Sequence, residues 1–222
     1  STLDRSSAAS DVYKRQTVHS ELLRRPGKLY VLASHFHPDH FNKEVLQWRE
    51  QRPDIIYIFS KDILRHRRAQ KEDAVWLKKG EEYKDETLSV RAFGSTDVGV
   101  SFLLQASGKK IFHAGDLNNW HWMDESTEAE WKGAEKNFLH ELDDLYAYTP
   151  EVDVAMFPVD PRLGKEYMRG AGQFVTKIKT HIFVPMHFTP EYAKANAFRD
   201  FAEAHGVRFV SLTHRGQKIE IE

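Results

Sequence analysis

His35-Phe36-His37-Pro38-Asp39-His40 is the stretch on which the reading of this chain turns. It follows Lys28 to Ala33 (KLYVLA), a β-branched and aromatic run that reads as a short buried strand, and it precedes Asn42, a residue suited to cap a helix. The hexapeptide therefore occupies a turn at the C-terminal end of a strand. If the backbone stays extended, the side chains at 35 and 37 project the same way, so two imidazoles can meet one cation. Pro38 fixes the following turn and swings Asp39 and His40 to a neighbouring position. A carboxylate and an imidazole there suit a second cation, or a ligand plus a base. The competing structural reading is a polar turn with surface histidines.

Outward from this turn, strand and helix signals alternate. A helix is expected from Asn42 to about Gln51, with Val45, Leu46 and Arg49 at helical spacing and Pro53 as its stop. Asp54 to Phe59 reads as a second buried strand and residues 61–70 as a helix. Thr87 to Phe93, Gly99 to Gln105 and Lys110 to Phe112 read as strands, the last two joined by a tight Ser107-Gly108 turn. Thr127 and Glu130 form a capping box before an amphipathic helix striped by Trp131, Ala134, Phe138, Leu142 and Leu145. Asp153 to Phe157 is a strand, 165–179 a helix, and Ile182 to Pro185 a strand. Thr189, Pro190 and Gly206 bracket another helix, and Val207 to Leu212 and Gln217 to Ile221 finish as strands. Interleaved β and α elements with antiparallel hairpins between them predict an α/β chain with both kinds of sheet pairing.

Two later strand ends carry chemistry of the same kind. Phe112-His113-Ala114-Gly115-Asp116 ends one strand in a carboxylate, and Val184-Pro185-Met186-His187 ends another in an imidazole. Together with the hexapeptide they resemble, in order and in placement, the His-x-His-x-Asp-His, Gly-Asp and late histidine motifs of the metallo-β-lactamase superfamily. The resemblance covers roughly residues 28–222 and implies an αββα sandwich with a metal site at one rim. Carried over, His35 and His37 would hold a first metal, Asp39, His40 and His187 a second, and Asp116 would bridge. The implied cofactor is zinc, two ions or one, with Mn2+ or Fe2+ as alternatives. The implied reaction is attack of a metal-bound hydroxide on an ester, lactone or phosphoester of a small anionic metabolite, with Asp39 orienting the hydroxide or shuttling its proton.

The histidine at position 37 stands where the diiron redox members of that superfamily have a carboxylate, which favours hydrolysis. Asp116 stands where the lactam-cleaving members with a cysteine ligand have a thiolate, and the region beyond it resembles the L-ascorbate-6-phosphate lactonase-like branch. The chain also departs from the pattern. A third histidine for the first metal is usual where this sequence reads Gly94-Ser95-Thr96-Asp97-Val98-Gly99, which leaves Asp97, His113 or His121 as substitutes, or none. The strands that normally precede the first motif are expected to be missing, and residues 1–16 read as a foreign or disordered segment ahead of a domain over 17–222.

Three further residues are candidates for substrate contact: His121, in the loop after Asp116, and Asp160 and Arg162, after the strand ending at Phe157. For each a structural role competes, a loop anchor for His121 and a turn pair for Asp160 with Arg162. The run Arg65, His66, Arg67, Arg68 and Lys71 reads as a solvated face. A net charge of -1 over 222 residues, 29% of them charged, gives no global attraction to nucleic acid or to an anionic membrane. The expected partner is a small molecule, with neither nucleic acid nor membrane. No apolar run approaches the roughly 20 residues of a membrane span, and a chain without cysteine fits the cytoplasm. The alternatives are a phosphodiesterase or ribonuclease Z-like nuclease, and a degenerate metal-binding scaffold without catalysis.

Overall fold

The computed structural model describes residues 21–214, 216, 217 and 219, so the segment over 1–16 and the strand expected over Gln217 to Ile221 fall outside the described residues in whole or in part. Tyr30–Ala33 (β1), Ile56–Ser60 (β2) and Val75–Leu77 (β3) form a three-stranded parallel sheet in the order β1-β2-β3. A seven-stranded sheet contains Glu82–Lys84 (β4), Ser89–Phe93 (β5), Ser101–Ala106 (β6), Lys109–His113 (β7), Glu151–Pro158 (β8), Lys179–Met186 (β9) and Arg208–Phe209 (β10). Its order is β10-β9-β8-β7-β6-β5-β4. The pairs from β4 to β7 are antiparallel and those from β7 to β10 parallel, so the chain is the mixed α/β protein that its alternation of elements predicted.

Strand periodicity explains the layering. On the small sheet Tyr30, Leu32, Ile56 and Ile58 face inward and meet Val90, Ala92 and Phe102 of the large sheet, with Val100 just ahead of its strand. The alternate residues Val31, Ala33, Tyr57 and Phe59 face outward and pack under Val45, Leu46 and Trp48. The outer face of the large sheet is covered by the helices Glu128–Tyr148 and Arg169–Lys177, through Phe138, Leu142, Leu145, Phe174 and Val175 against Phe112, Ala155 and Phe157. Helical layers thus lie outside two sheets that pack face to face, the αββα arrangement. Each buried Phe or Leu contributes about 1.5–3 kcal/mol. Thr127 and Glu130 do form the capping box that starts the long helix. Ser107 and Gly108 both adopt positive φ, as a two-residue type I′ hairpin requires.

Several elements differ from the sequence expectation. Lys43–Glu50 is a 3-10 helix rather than an α-helix, although Asn42 caps it as expected by accepting from Glu44 N–H. The Tyr57 hydroxyl donates to Val45 O, the acceptor an α-helical turn would use for Arg49. The helix expected over 61–70 ends after Lys61–Arg65, because Arg67 turns into the left-handed region and Arg68 N–H closes back onto Ile63 O. The helix over 165–179 shortens to Arg169–Lys177, behind a 3-10 segment at Pro161–Glu166. Thr189 has φ +46 and cannot serve as an N-cap. The helix after it splits into Tyr192–Asn196 and Arg199–Ala204, where the Asn196 side chain is drawn off to both backbone groups of Leu212. The three-residue strands β3 and β4 were not expected, being too short to show a period.

Candidate metal centre

Every residue of the site stands just past the C-terminal end of a parallel strand: His35 to His40 after β1, Asp116 after β7, Asp160 after β8 and His187 after β9. The hexapeptide holds its turn with His40 and Phe41 N–H on His37 O, and Asp62 accepts from Phe36 N–H. Glycine brings the strand ends together. Gly99, at φ +75, lies so close that a Cβ there would sit 2.1 Å from Ser34 O, and the neighbouring Val100 N–H bonds that same oxygen.

Asp116 is the centre of the arrangement. His35 Nε2 lies 3.2 Å from its Oδ2, and His40 Nε2 and His187 Nε2 lie 3.0 and 3.3 Å from its Oδ1. Two groups of ligand atoms converge there, His35 with His37 and Asp116, and Asp39 with His40 and His187, each group within 4.8 Å of itself. Burial alone would raise the Asp116 pKa, but the His187, His35 and His40 rings outweigh it and hold the carboxyl far below the usual range. Two buried atoms at the centre, His35 Nε2 and Asp116 Oδ1, make no hydrogen bond despite these short approaches. Buried polar atoms are seldom left so. Lone-pair donors that face a common point without hydrogen-bond geometry fit a bound cation, and the imidazole and carboxylate donors suit a divalent transition metal.

Asp160 is enclosed rather than turned outward. It is fully buried and accepts from Arg162 N–H, Nε and Nη2 and from His187 Nδ1 at 2.9 Å. Its pKa drops to about 2: burial opposes ionisation, and His187 and Arg162 more than compensate. Holding the far nitrogen of a ligand histidine fixes that ring's tautomer and leaves Nε2 for a metal. His187 rises to about 9, because the Asp116 and Asp160 carboxylates outweigh the burial that would lower it. Arg162 is half exposed beside His187, its Nη2 3.3 Å from Nδ1, and it alone of the three expected substrate contacts presents a charged group outward.

His121 is an anchor rather than a substrate contact. It is buried, its Nδ1 accepts from Met123 N–H, and its Nε2 meets Glu166 O, so both ring nitrogens are committed to backbone. None of the substitutes for a third ligand of the first metal joins the group. Asp97 is exposed, His113 Nδ1 accepts from Gly115 N–H, and His121 is occupied. Thr96 instead exchanges two hydrogen bonds with the backbone of Asn118, so this loop secures the Asp116 segment. That segment is held further by Trp120 Nε1 on Asp116 O and by Asn119 on Glu135, which also receives Arg169 and Gln173. Thr96, Glu135 and Ser34 escaped the sequence reading because single residues of common type carry no motif.

The family pattern described as Beta-lactamase superfamily domain matches residues 11–188. Among similar solved structures is the metallo-beta-lactamase fold protein YhfI from Bacillus subtilis, with a TM-score of 0.56, 13% identity, and coverage of 86% of this chain and 78% of that one. A proposed metal-dependent hydrolase from Parabacteroides distasonis ATCC 8503 has a TM-score of 0.55 and 16% identity, covering 85% of this chain and 78% of that one. A mutant of the CmlA beta-hydroxylase has a TM-score of 0.54 and 14% identity, covering 83% of this chain and 43% of that one. At such identities the likeness is one of fold. No curated protein matches the sequence.

Proposed function

This chain belongs to the Beta-lactamase superfamily domain family, and on that premise we propose that it is a metal-dependent hydrolase acting on an ester, lactone or phosphoester of a small anionic metabolite. The observation that carries the proposal is the convergence of two ligand groups on one buried carboxylate, Asp116, among atoms that no hydrogen bond satisfies. His35, His37 and Asp116 would hold one cation and Asp39, His40 and His187 the other, with Asp116 between them. Zinc fits the donor set, and Mn2+ or Fe2+ are the alternatives. When bound, such a pair lowers the pKa of a water held between the cations and polarises the scissile carbonyl or phosphoryl oxygen.

The chain's own residues supply the rest. Asp39 is half exposed and 3.5 Å from His40 Nε2, at the solvent side of the second group. From there its carboxylate can orient the attacking water and take its proton. Arg162, locked by Asp160 but open on its outer edge, offers a fixed cation to an anionic substrate. That role as a substrate contact passes to Arg162 alone, since Asp160 and His121 are committed elsewhere.

The test is metal content by plasma emission on protein purified without chelator, beside hydrolysis of bis(p-nitrophenyl) phosphate and a lactone panel. The expected result is close to two cations per chain, falling in Asp116→Ala, with turnover that chelation abolishes. A folded parent protein that takes up neither zinc, manganese nor iron overturns the reading.

A further inference from the structure

Ser34 stands between the two ligand groups and belongs to neither. Its Oγ lies 3.0 Å from Nδ1 of His35, a member of the first group, and 3.4 Å from Nδ1 of His40, a member of the second. The two rings are 4.0 Å apart at their centroids. Both present Nε2 to Asp116 and turn Nδ1 to the same hydroxyl. We propose that Ser34 is a shared positioning residue that sets the tautomer of one histidine in each group, so that the two cations load in separate steps. This inference rests on the metal-centre reading above.

The argument is a count of protons. An imidazole that gives its Nε2 lone pair to a cation must carry its proton on Nδ1, and that proton needs an acceptor. A serine hydroxyl has two lone pairs and one proton of its own. Among the described residues its only hydrogen-bond partners are the two Nδ1 atoms. With one cation bound, Oγ accepts from the loaded ring and donates its own proton to the Nδ1 of the other. That second ring is then held with its proton on Nε2, the tautomer that cannot ligate. Filling the second group requires the hydroxyl to turn its proton away from both rings and accept from both. One hydroxyl therefore assists the first cation and resists the second.

The surroundings keep this hydroxyl in place. Ser34 is 4% exposed. A Cβ on Gly115, at φ +57, would lie 2.9 Å from Ser34 Cβ and 3.0 Å from Oγ, and one on Gly99 would lie 2.1 Å from Ser34 O. Glycine at both positions makes the space the serine occupies and leaves the side chain little room to move aside.

Ser34→Ala tests the assignment through stepwise addition of cobalt to metal-free protein, followed by absorbance and by competition with a chromophoric chelator. The parent is expected to fill in two separated steps. In the variant the tighter step weakens about 10- to 100-fold, the range for losing a hydrogen-bond partner of a ligand histidine, and the steps draw together. In parallel, the downfield imidazole N–H proton signals of the zinc-loaded protein read the hydroxyl directly. Two signals protected from exchange in the parent should lose that protection in Ser34→Ala, which a merely structural change elsewhere would not select. Two-metal uptake with affinities, spacing and N–H protection unchanged in the variant overturns the role of Ser34 and leaves the metal centre intact. Filling of the parent in a single step does the same, whereas no uptake by the parent overturns both.

Discussion

Replacing Asp160 by Asn keeps the shape of a fully buried side chain and removes its charge. In the parent one oxygen accepts from Arg162 N–H and Nε, and the other from Arg162 Nη2 and His187 Nδ1. An amide can keep the first set, but its NH2 then points at two donors. His187 relieves the conflict by accepting at Nδ1, which moves its proton to Nε2 and into the metal site. Zinc affinity should fall about 10- to 100-fold, or about 1.4–2.7 kcal/mol. The metal-free protein should lose about 1.5–3 kcal/mol with its charge-assisted hydrogen bonds. The variant also changes the pH dependence of that metal-free form. His187 is raised from 6.5 to about 9 by Asp116 and Asp160 against the pull of burial. Its contribution to stability is therefore complete below pH 6.5 and lost as pH rises through 9. With one carboxylate gone, the decline across that window should become shallower. Chelator competition for zinc, and urea unfolding in chelator at pH 6.5 and 9, measure both effects. A variant that binds zinc as tightly as the parent, with the same pH slope, would refute the assignment of Asp160 as the holder of His187.

Metal uptake near pH 7.5 should release protons, because the cation displaces the proton His187 carries below about 9. Calorimetric heats that are identical in buffers of different ionisation enthalpy, after correction for metal–buffer binding, would contradict this. Gly99→Ala places a Cβ against Ser34 O and His35 Cβ at φ +75, and should cost at least about 2 kcal/mol. A thermal midpoint within a degree of the parent would show that the strand ends separate easily. Glu135→Ala strips a shared acceptor from Arg169, Gln173 and Asn119, and should destabilise by about 1–3 kcal/mol. Denaturant midpoints at pH 7 check it, and an unchanged midpoint would mean that solvent takes over those donors.

The layers and the clustering of the candidate ligands were legible in the sequence for two reasons. Strands buried on both faces read as short, near-continuous apolar runs, and histidines and aspartates beside Gly or Pro at strand ends are rare enough to stand out. Ile56 to Phe59 and the capping box at Thr127 carry their structure in local pattern. The Tyr57 hydroxyl bond onto Val45 O, which accompanies the 3-10 form of Lys43–Glu50, comes from a neighbouring strand, and the early stop of the helix at Arg65 turns on a single left-handed residue. Neither is visible along the chain. The same limit explains Asp160 and His121. A buried carboxylate that orients a ligand and an exposed one that meets substrate look alike until their partners are known. The loop around Thr96 shows the limit from the other side, since Thr96, in the stretch where a further ligand was expected, serves as a backbone clasp on Asn118.

The candidate ligands divide by sheet. His35 to His40 extend from the small sheet, built before residue 78, whereas Asp116 and His187 extend from the large one, built after residue 81. Neither half carries a complete donor set for either cation once Asp116 is counted as the bridge. A bound ion would therefore rivet one half of the sandwich to the other at the open rim, adding to the backbone bond from Val100 N–H to Ser34 O already made there. Unfolding routes that begin by parting the sheets would be closed to the loaded protein, and routes that fray the outer helices would remain. Amide exchange with and without zinc should then differ most along β1, β7 and β9, far more than along the helix Glu128–Tyr148.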